Sequence, residues 1–173
     1  GRSRPVWWLV FVRELRELWI WGRAAILIIL YSVYLGIASY FFAADSELSL
    51  IPPREMVYLT IAGAIIAGLF MALIIGADSF SGERERATLE ALLLTPANRT
   101  QIVIGKFLAS ISPWPVAMLI AVPYVVVLSQ GDSILLTALM WGAILGSLLV
   151  FAFTGLAMIV SLWSGSNRTS LFA

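Results

Sequence analysis

The sequence predicts an all-α fold: a polytopic bundle of four membrane-spanning helices, preceded by an interfacial amphipathic helix and carrying a second amphipathic helix in its largest loop. Three observations predict it. The 173 residues are 61% hydrophobic and only 12% charged, with a mean hydropathy of +0.96, whereas a water-covered domain carries about a quarter charged residues. Four long runs contain no Asp, Glu, Lys or Arg. The segments between the runs alternate between basic and acidic or nearly uncharged.

The runs are Ala24–Ala44, Met56–Ala77, Phe107–Leu128 and Ser133–Trp163. A helix needs about 20 apolar residues to cross roughly 30 Å of hydrocarbon, and each run supplies them. The second holds Val57, Leu59, Ile61, Ile65, Ile66, Leu69, Phe70, Leu73, Ile74 and Ile75. At about −0.3 to −0.6 kcal/mol each near the membrane centre, these outweigh its glycines, so it inserts without help. The fourth is long enough to tilt, kink or project beyond the bilayer. The third contains Pro113, Pro115 and Pro123; each removes a backbone donor, so this helix is expected to begin irregularly and bend.

Charge sets the expected orientation. Arg2, Arg4, Arg13, Arg16 and Arg23 precede the first run, while Asp45, Glu47, Arg54 and Glu55 follow it. Arg84, Arg86, Arg99 and Lys106 lie between the second and third runs, only Asp132 between the third and fourth, and Arg168 after the fourth. Basic loops stay in the cytoplasm, which places the N-terminus there in a multi-pass protein of the cell membrane. Residues 1–23 do not read as a signal peptide, because arginines and glutamates come after the first apolar residues. They read as an interfacial helix, with Trp8, Phe11, Val12, Leu15, Leu18 and Trp19 on one side and Arg13, Arg16 and Glu17 on the other. Trp7, Trp8, Trp19 and Trp21 suit the headgroup layer, where an indole is half wet.

The chain has no cysteine and no histidine. That excludes disulfides, the usual zinc and haem sites, a thiol nucleophile and a histidine base. The apolar runs hold no ionisable carboxylate or amine, which argues against an ion-coupled carrier and an intramembrane hydrolase. Small residues recur every fourth position, at Ala64, Gly68, Ala72 and Gly76 and again at Ala138, Gly142 and Gly146. Such ladders let helices approach closely, either within the chain or between two copies.

The loop 78–106 has a pattern of its own. Ser81 is a good N-cap, with Glu83 and Glu85 in the first turn where a helix dipole favours negative charge. Leu89, Leu92 and Leu93 form an apolar stripe, Thr95-Pro96 closes the helix, and Asn98 or Thr100 can cap the next one. The residues alone give a short amphipathic helix over 81–94, held between two membrane helices.

The run Ser81-Gly82-Glu83-Arg84-Glu85-Arg86-Ala87-Thr88-Leu89-Glu90-Ala91-Leu92-Leu93-Leu94-Thr95-Pro96-Ala97-Asn98-Arg99, with Ile104-Gly105-Lys106-Phe107-Leu108 after it, resembles the cytoplasmic loop of ATP-binding-cassette (ABC) transporter permeases of the type-2 exporter class. Arg13-Glu14-Leu15 is similar to that family's interfacial helix. The resemblance implies a permease that pairs with a second copy or homologue in the lipid bilayer and exports substrate when driven by a dimer of cassette ATPases. ATP and magnesium would bind on those nucleotide-binding partners, and no cofactor, metal, catalytic residue or nucleic acid is implied here. It also implies that the loop helix seats in a groove of the ATPase, with Glu83, Arg84, Glu85, Arg86, Leu89, Glu90, Leu92, Leu93, Pro96 and Arg99 as coupling residues. The residues agree that the motor lies elsewhere: Gly105-Lys106 is followed by Phe107 and has Thr100 where a phosphate-binding loop needs its first glycine. Family members commonly have six spans. The transmembrane domain 24–163 supplies four, so residues 164–173 are expected to start a further segment of a longer protein. An ion-coupled carrier or channel, or a non-transporting scaffold, are the rival readings. The transported substrate stays open among lipid, drug, ion, peptide and glycan.

Overall fold

The computed structural model describes the backbone of residues 5–20, 22–85 and 99–171 and the side chains of 5–20, 22–79 and 99–163. Its elements are α1 (Val6–Trp19), α2 (Arg23–Ala44), a 3-10 turn (Leu48–Leu50), α3 (Pro53–Glu85), α4 (Arg99–Ile111), α5 (Pro113–Ser129) and α6 (Leu135–Leu171). Four stretches are long and apolar enough to cross a membrane: Arg23–Ala44, Pro53–Ser79, Arg99–Ser129 and Leu135–Trp163. Each overlaps one of the four runs of the sequence, the third starting earlier, at Arg99, and the fold is the expected helical bundle.

Local chemistry sets the ends of the helices. After α2, the Asp45 carboxylate accepts the backbone N–H groups of Leu48 at 3.0 Å and Glu47 at 2.9 Å. These two bonds hold the carboxyl below its ordinary range, that from Leu48 first. The support this gives the turn is present at neutral pH and is lost as pH falls through the lowered value. Pro53 opens α3, where its missing N–H would have had no helical partner. The third span is divided at Ser112, since Pro113 cannot donate to the preceding turn. The Ser112 hydroxyl donates instead to the Ala109 carbonyl at 2.6 Å. Pro123 sits inside α5, so the expected irregular start is realised as a break between two helices. The α5–α6 turn takes Gln130 and Gly131 through positive φ, 49° and 80°, and at Gly131 any side chain would be strained. Arg54 at the start of α3 pairs with Asp132 of this turn at 3.6 Å, so both short loops share one end of the bundle.

The small-residue ladder of α3 faces inward. Ala64, Gly68, Ala72 and Gly76 are buried, and α3 with α6 is the most extensive helix pair. A Cβ on Gly76 would lie 2.8 Å from that of Ala157, and one on Gly142 2.8 Å from Ile61 Cγ2. Trp114 of α5 fills the wedge between the two ladders. A Cβ on Gly68 would overlap its ring, and one on Gly146 would lie 2.7 Å from its Cζ2. The indole N–H donates to Ser147 Oγ at 3.0 Å, and Tyr31 of α2 donates its hydroxyl to the Ala117 carbonyl at 3.1 Å. Tyr31, Leu35, Met71, Trp114, Ala117 and Val150 form the main core cluster. Outside it, Ile26, Ile29, Val33 and Ile37 of α2 and Met140, Ile144 and Leu148 of α6 are exposed, as suits a surface solvated by lipid chains.

One expectation is corrected. The backbone of α3 runs unbroken through Ser81 to Glu85, so Ser81 caps no new helix and Glu83 and Glu85 end α3 rather than begin another. Extending an existing helix by a residue is easier than nucleating a fresh one, and Gly82 alone does not stop it. The backbone of α6 continues through 164–171 to Leu171.

Candidate coupling site at the basic end of the bundle

Opposite the short loops, the N-terminal helix is clasped against the ends of α3 and α4. The clasp begins with packing: α1 lies on α4, and Gly105 lets it come close, because a Cβ there would be 2.7 Å from Val10 Cγ1. Val10 joins Ile102 and Met158 in a small buried cluster, with Phe107 packed against it. Further along, the Trp19 indole N–H donates to Ser112 Oγ at 3.1 Å, at the break between α4 and α5. Contacts therefore advance in the same order along both helices.

Charge completes the clasp. Lys106 Nζ lies 3.0 Å from Glu14 Oε1 and donates to the Ser79 carbonyl at 2.9 Å; its side chain is fully buried and that of Glu14 nearly so. Arg23 Nη1 pairs with Asp78 Oδ1 at 2.8 Å, and Arg13 with Glu17 at 3.3 Å along α1. Glu14, Glu17, Arg23, Asp78, Ser79 and Ser110 border a cleft of about 270 Å³ here. Its three carboxylates each have a cationic partner, so the cleft is a charge-balanced joint between helices. Among the described residues no group of three acidic side chains converges to hold a metal.

A second cavity, about 320 Å³, opens among α3, α5 and α6 within the apolar part of the bundle. Ile61, Ala64, Trp114, Val125 and Gly142 line it, with Tyr31 at its edge. Its lining is almost wholly apolar.

Of the predicted coupling residues, Glu83, Arg84 and Glu85 form the last backbone turn of α3, and Arg99 begins α4. Arg86, Leu89, Glu90, Leu92, Leu93 and Pro96 lie outside the described residues. So does Trp21, one of the four tryptophans assigned to the headgroup layer. The end of α3 and the start of α4 lie side by side at the α1 end of the bundle, joined through Ser79, Lys106 and Glu14.

α1 also turns a face toward α4. Its buried residues are Val10 and Glu14, while Trp8 and Leu9 are exposed. Sequence reading also missed Lys106, which was left in the loop because a charge ends an apolar run. A signal existed. Lys106 shares a helical face with Ile102 and Ala109, both buried, and Glu14 shares one with Val10 and Leu18. Opposite charges set in apolar stripes of two helices mark a buried pair.

A model of the family described as ABC-2 family transporter protein matches residues 6–173. The chain is also similar to the ABC transporter permease protein NatB of Bacillus subtilis (strain 168), at 41% identity over 51 residues. That stretch is 30% of this chain and 12% of the relative, so the match spans far less than two thirds of the relative's length. No solved structure matches.

Proposed function

The chain belongs to the ABC-2 family of transporter proteins, and on that premise we propose that it is a membrane-spanning, non-catalytic permease part of an ATP-driven exporter. A separate cassette ATPase binds and hydrolyses the ATP, segment 86–98 docks on it, and a second permease copy or homologue completes the path. The N-terminus and the docking segment lie in the cytoplasm. The observation that carries this reading is the mounting of 86–98. It leaves α3 at Glu85 and enters α4 at Arg99, and both helices are pinned to α1 by Ser79, Lys106 and Glu14. A partner that moves the segment therefore moves membrane helices. An ion-coupled carrier fits less well, because the described ion pairs lie at the ends of the bundle and its middle depth is apolar.

The test is co-purification of the full-length permease with its cassette ATPase. Glu90→Lys replaces an attraction with a like-charge clash, and Leu92→Asp puts a carboxylate into an apolar groove. A lost charged contact at an interface costs about 2–5 kcal/mol, and even the lower figure is more than tenfold in association. Normal membrane levels with at least tenfold weaker ATPase recovery are expected. Wild-type recovery by both variants refutes docking through this segment.

Orientation is tested separately. The chain has no cysteine of its own, so Ser46→Cys and Ser81→Cys each give a single label site. An impermeant maleimide added to intact cells should label the first and spare the second. Labelling of both from outside overturns the assignment.

A further inference from the structure

Among the described residues Lys106 is the most deeply buried ionisable group, its side chain at 0% exposure. Its ammonium reaches the carboxylate of Glu14 on α1 at 3.0 Å and the carbonyl of Ser79 on α3 at 2.9 Å, while its own backbone belongs to α4. One nitrogen thus joins three helices. Ser79 and Lys106 each lie within about two turns of the helix ends from which 86–98 departs and to which it returns.

A buried ion pair is a poor source of net stability, since desolvation offsets most of the attraction and apolar residues of like volume often do as well. What it does supply is geometry. An apolar contact slides at little cost, whereas sliding α1 along α4 would draw a buried ammonium away from its carboxylate. Val10 against Gly105 fixes the separation of the two helices, and Trp19 bonded to Ser112 fixes the far end at the α4–α5 break.

We infer that Glu14 and Lys106 are positioning residues that lock α1 into one rigid body with the end of α3 and the start of α4, so that α1 travels with the docking segment when the partner ATPase closes. This rests on the transport reading given above. The structure gives the body its members and the pair that registers them; the ATPase supplies the displacement.

The experiment uses the full-length permease with its cassette ATPase in lipid nanodiscs. Spin labels at the exposed positions Leu9 of α1, Ile104 of α4 and Leu119 of α5 are read by pulsed dipolar spectroscopy, without nucleotide and with ATP and vanadate. In the otherwise unaltered complex the Ile104–Leu119 and Leu9–Leu119 distances should shift together, and Leu9–Ile104 should keep one narrow distribution. The decisive variant is Glu14→Met/Lys106→Met, which keeps the packing and lacks the ionic register. Its Ile104–Leu119 distance should still shift, with loss of the matching shift at Leu9 and a broadened Leu9–Ile104 distribution. If the double variant fails to assemble, the isosteric Glu14→Gln is expected to show the same loss in weaker form. No nucleotide-dependent shift at Ile104 in the parent complex overturns the transport reading itself. A shift at Ile104 that Leu9 follows equally in parent and variants overturns the lock and leaves that reading standing.

Discussion

Gly68→Leu should abolish most of the folded protein, while Leu69→Ala one position along should leave it largely intact. The Gly68 site faces the Trp114 ring so closely that even a Cβ would overlap it. The ring cannot retreat, because Gly146 presses it from α6 and Ser147 holds its N–H at 3.0 Å. Overpacking a core costs about 1–3 kcal/mol where neighbours can adjust, and more where they are pinned as here. Leu69 is partly buried beside the same cluster, so its truncation removes some packing without a clash and costs less than about 2 kcal/mol. Folded yield by size exclusion and midpoints of denaturation in mixed micelles check both. Gly68→Ala gives the sharpest control. In an ordinary helix this change stabilises by about 0.5–1 kcal/mol, whereas here it should destabilise, and Trp114→Ala in the same chain should relieve the loss. Equal yields for Gly68→Leu and Leu69→Ala would mean that the ladder has no packing role.

The spans were legible because a bilayer imposes a single requirement, a continuous apolar helix of sufficient length, and composition states it directly. The ladder was legible as a close contact for the same reason, but its partner was not. Nothing in the spacing of Ala64, Gly68, Ala72 and Gly76 says that Trp114, some 40 residues downstream, fills the space beside them. The proline cluster foretold an irregular start and a bend in the third span, where the structure has a break at Ser112. The break follows from Pro113, which has no N–H for the Ala109 carbonyl, so the Ser112 hydroxyl takes that acceptor instead. The coupling site was half legible. Charges at 83–86 and leucines at 89–93 marked the segment, yet Ser81 misled, because a good capping residue has no effect inside a helix that is already propagating. Glu14 and Lys106 were overlooked because a search for charge-free runs discards every charge it meets, including one that a distant helix neutralises.

Lys106→Met should lower stability by about 3–5 kcal/mol, and Glu14→Met introduced with it should restore most of that loss. The single change leaves Glu14, whose side chain is only 11% exposed, buried without the ammonium 3.0 Å away. Breaking a buried pair from one side withdraws the ammonium from a carboxylate in a low dielectric and carries about that cost. Methionine at both positions removes that carboxylate too and keeps an unbranched apolar side chain of similar reach, which buried pairs generally tolerate. The Ser79 carbonyl would lose its bond from Lys106 in both variants, so this term cancels in the comparison between them. Glu14→Gln should fall between, because the amide still accepts a bond from Lys106 and supplies no countercharge. Denaturation midpoints of the parent, Lys106→Met, Glu14→Met and the double variant in the same mixed micelles give the coupling as a double-mutant cycle, with Glu14→Gln measured beside them. A double variant no more stable than Lys106→Met would mean that the ammonium stabilises by its contacts rather than by neutralising Glu14. A single variant as stable as the parent would mean that Glu14 reaches water when Lys106 is gone, and that the joint between α1, α3 and α4 is looser than its burial indicates.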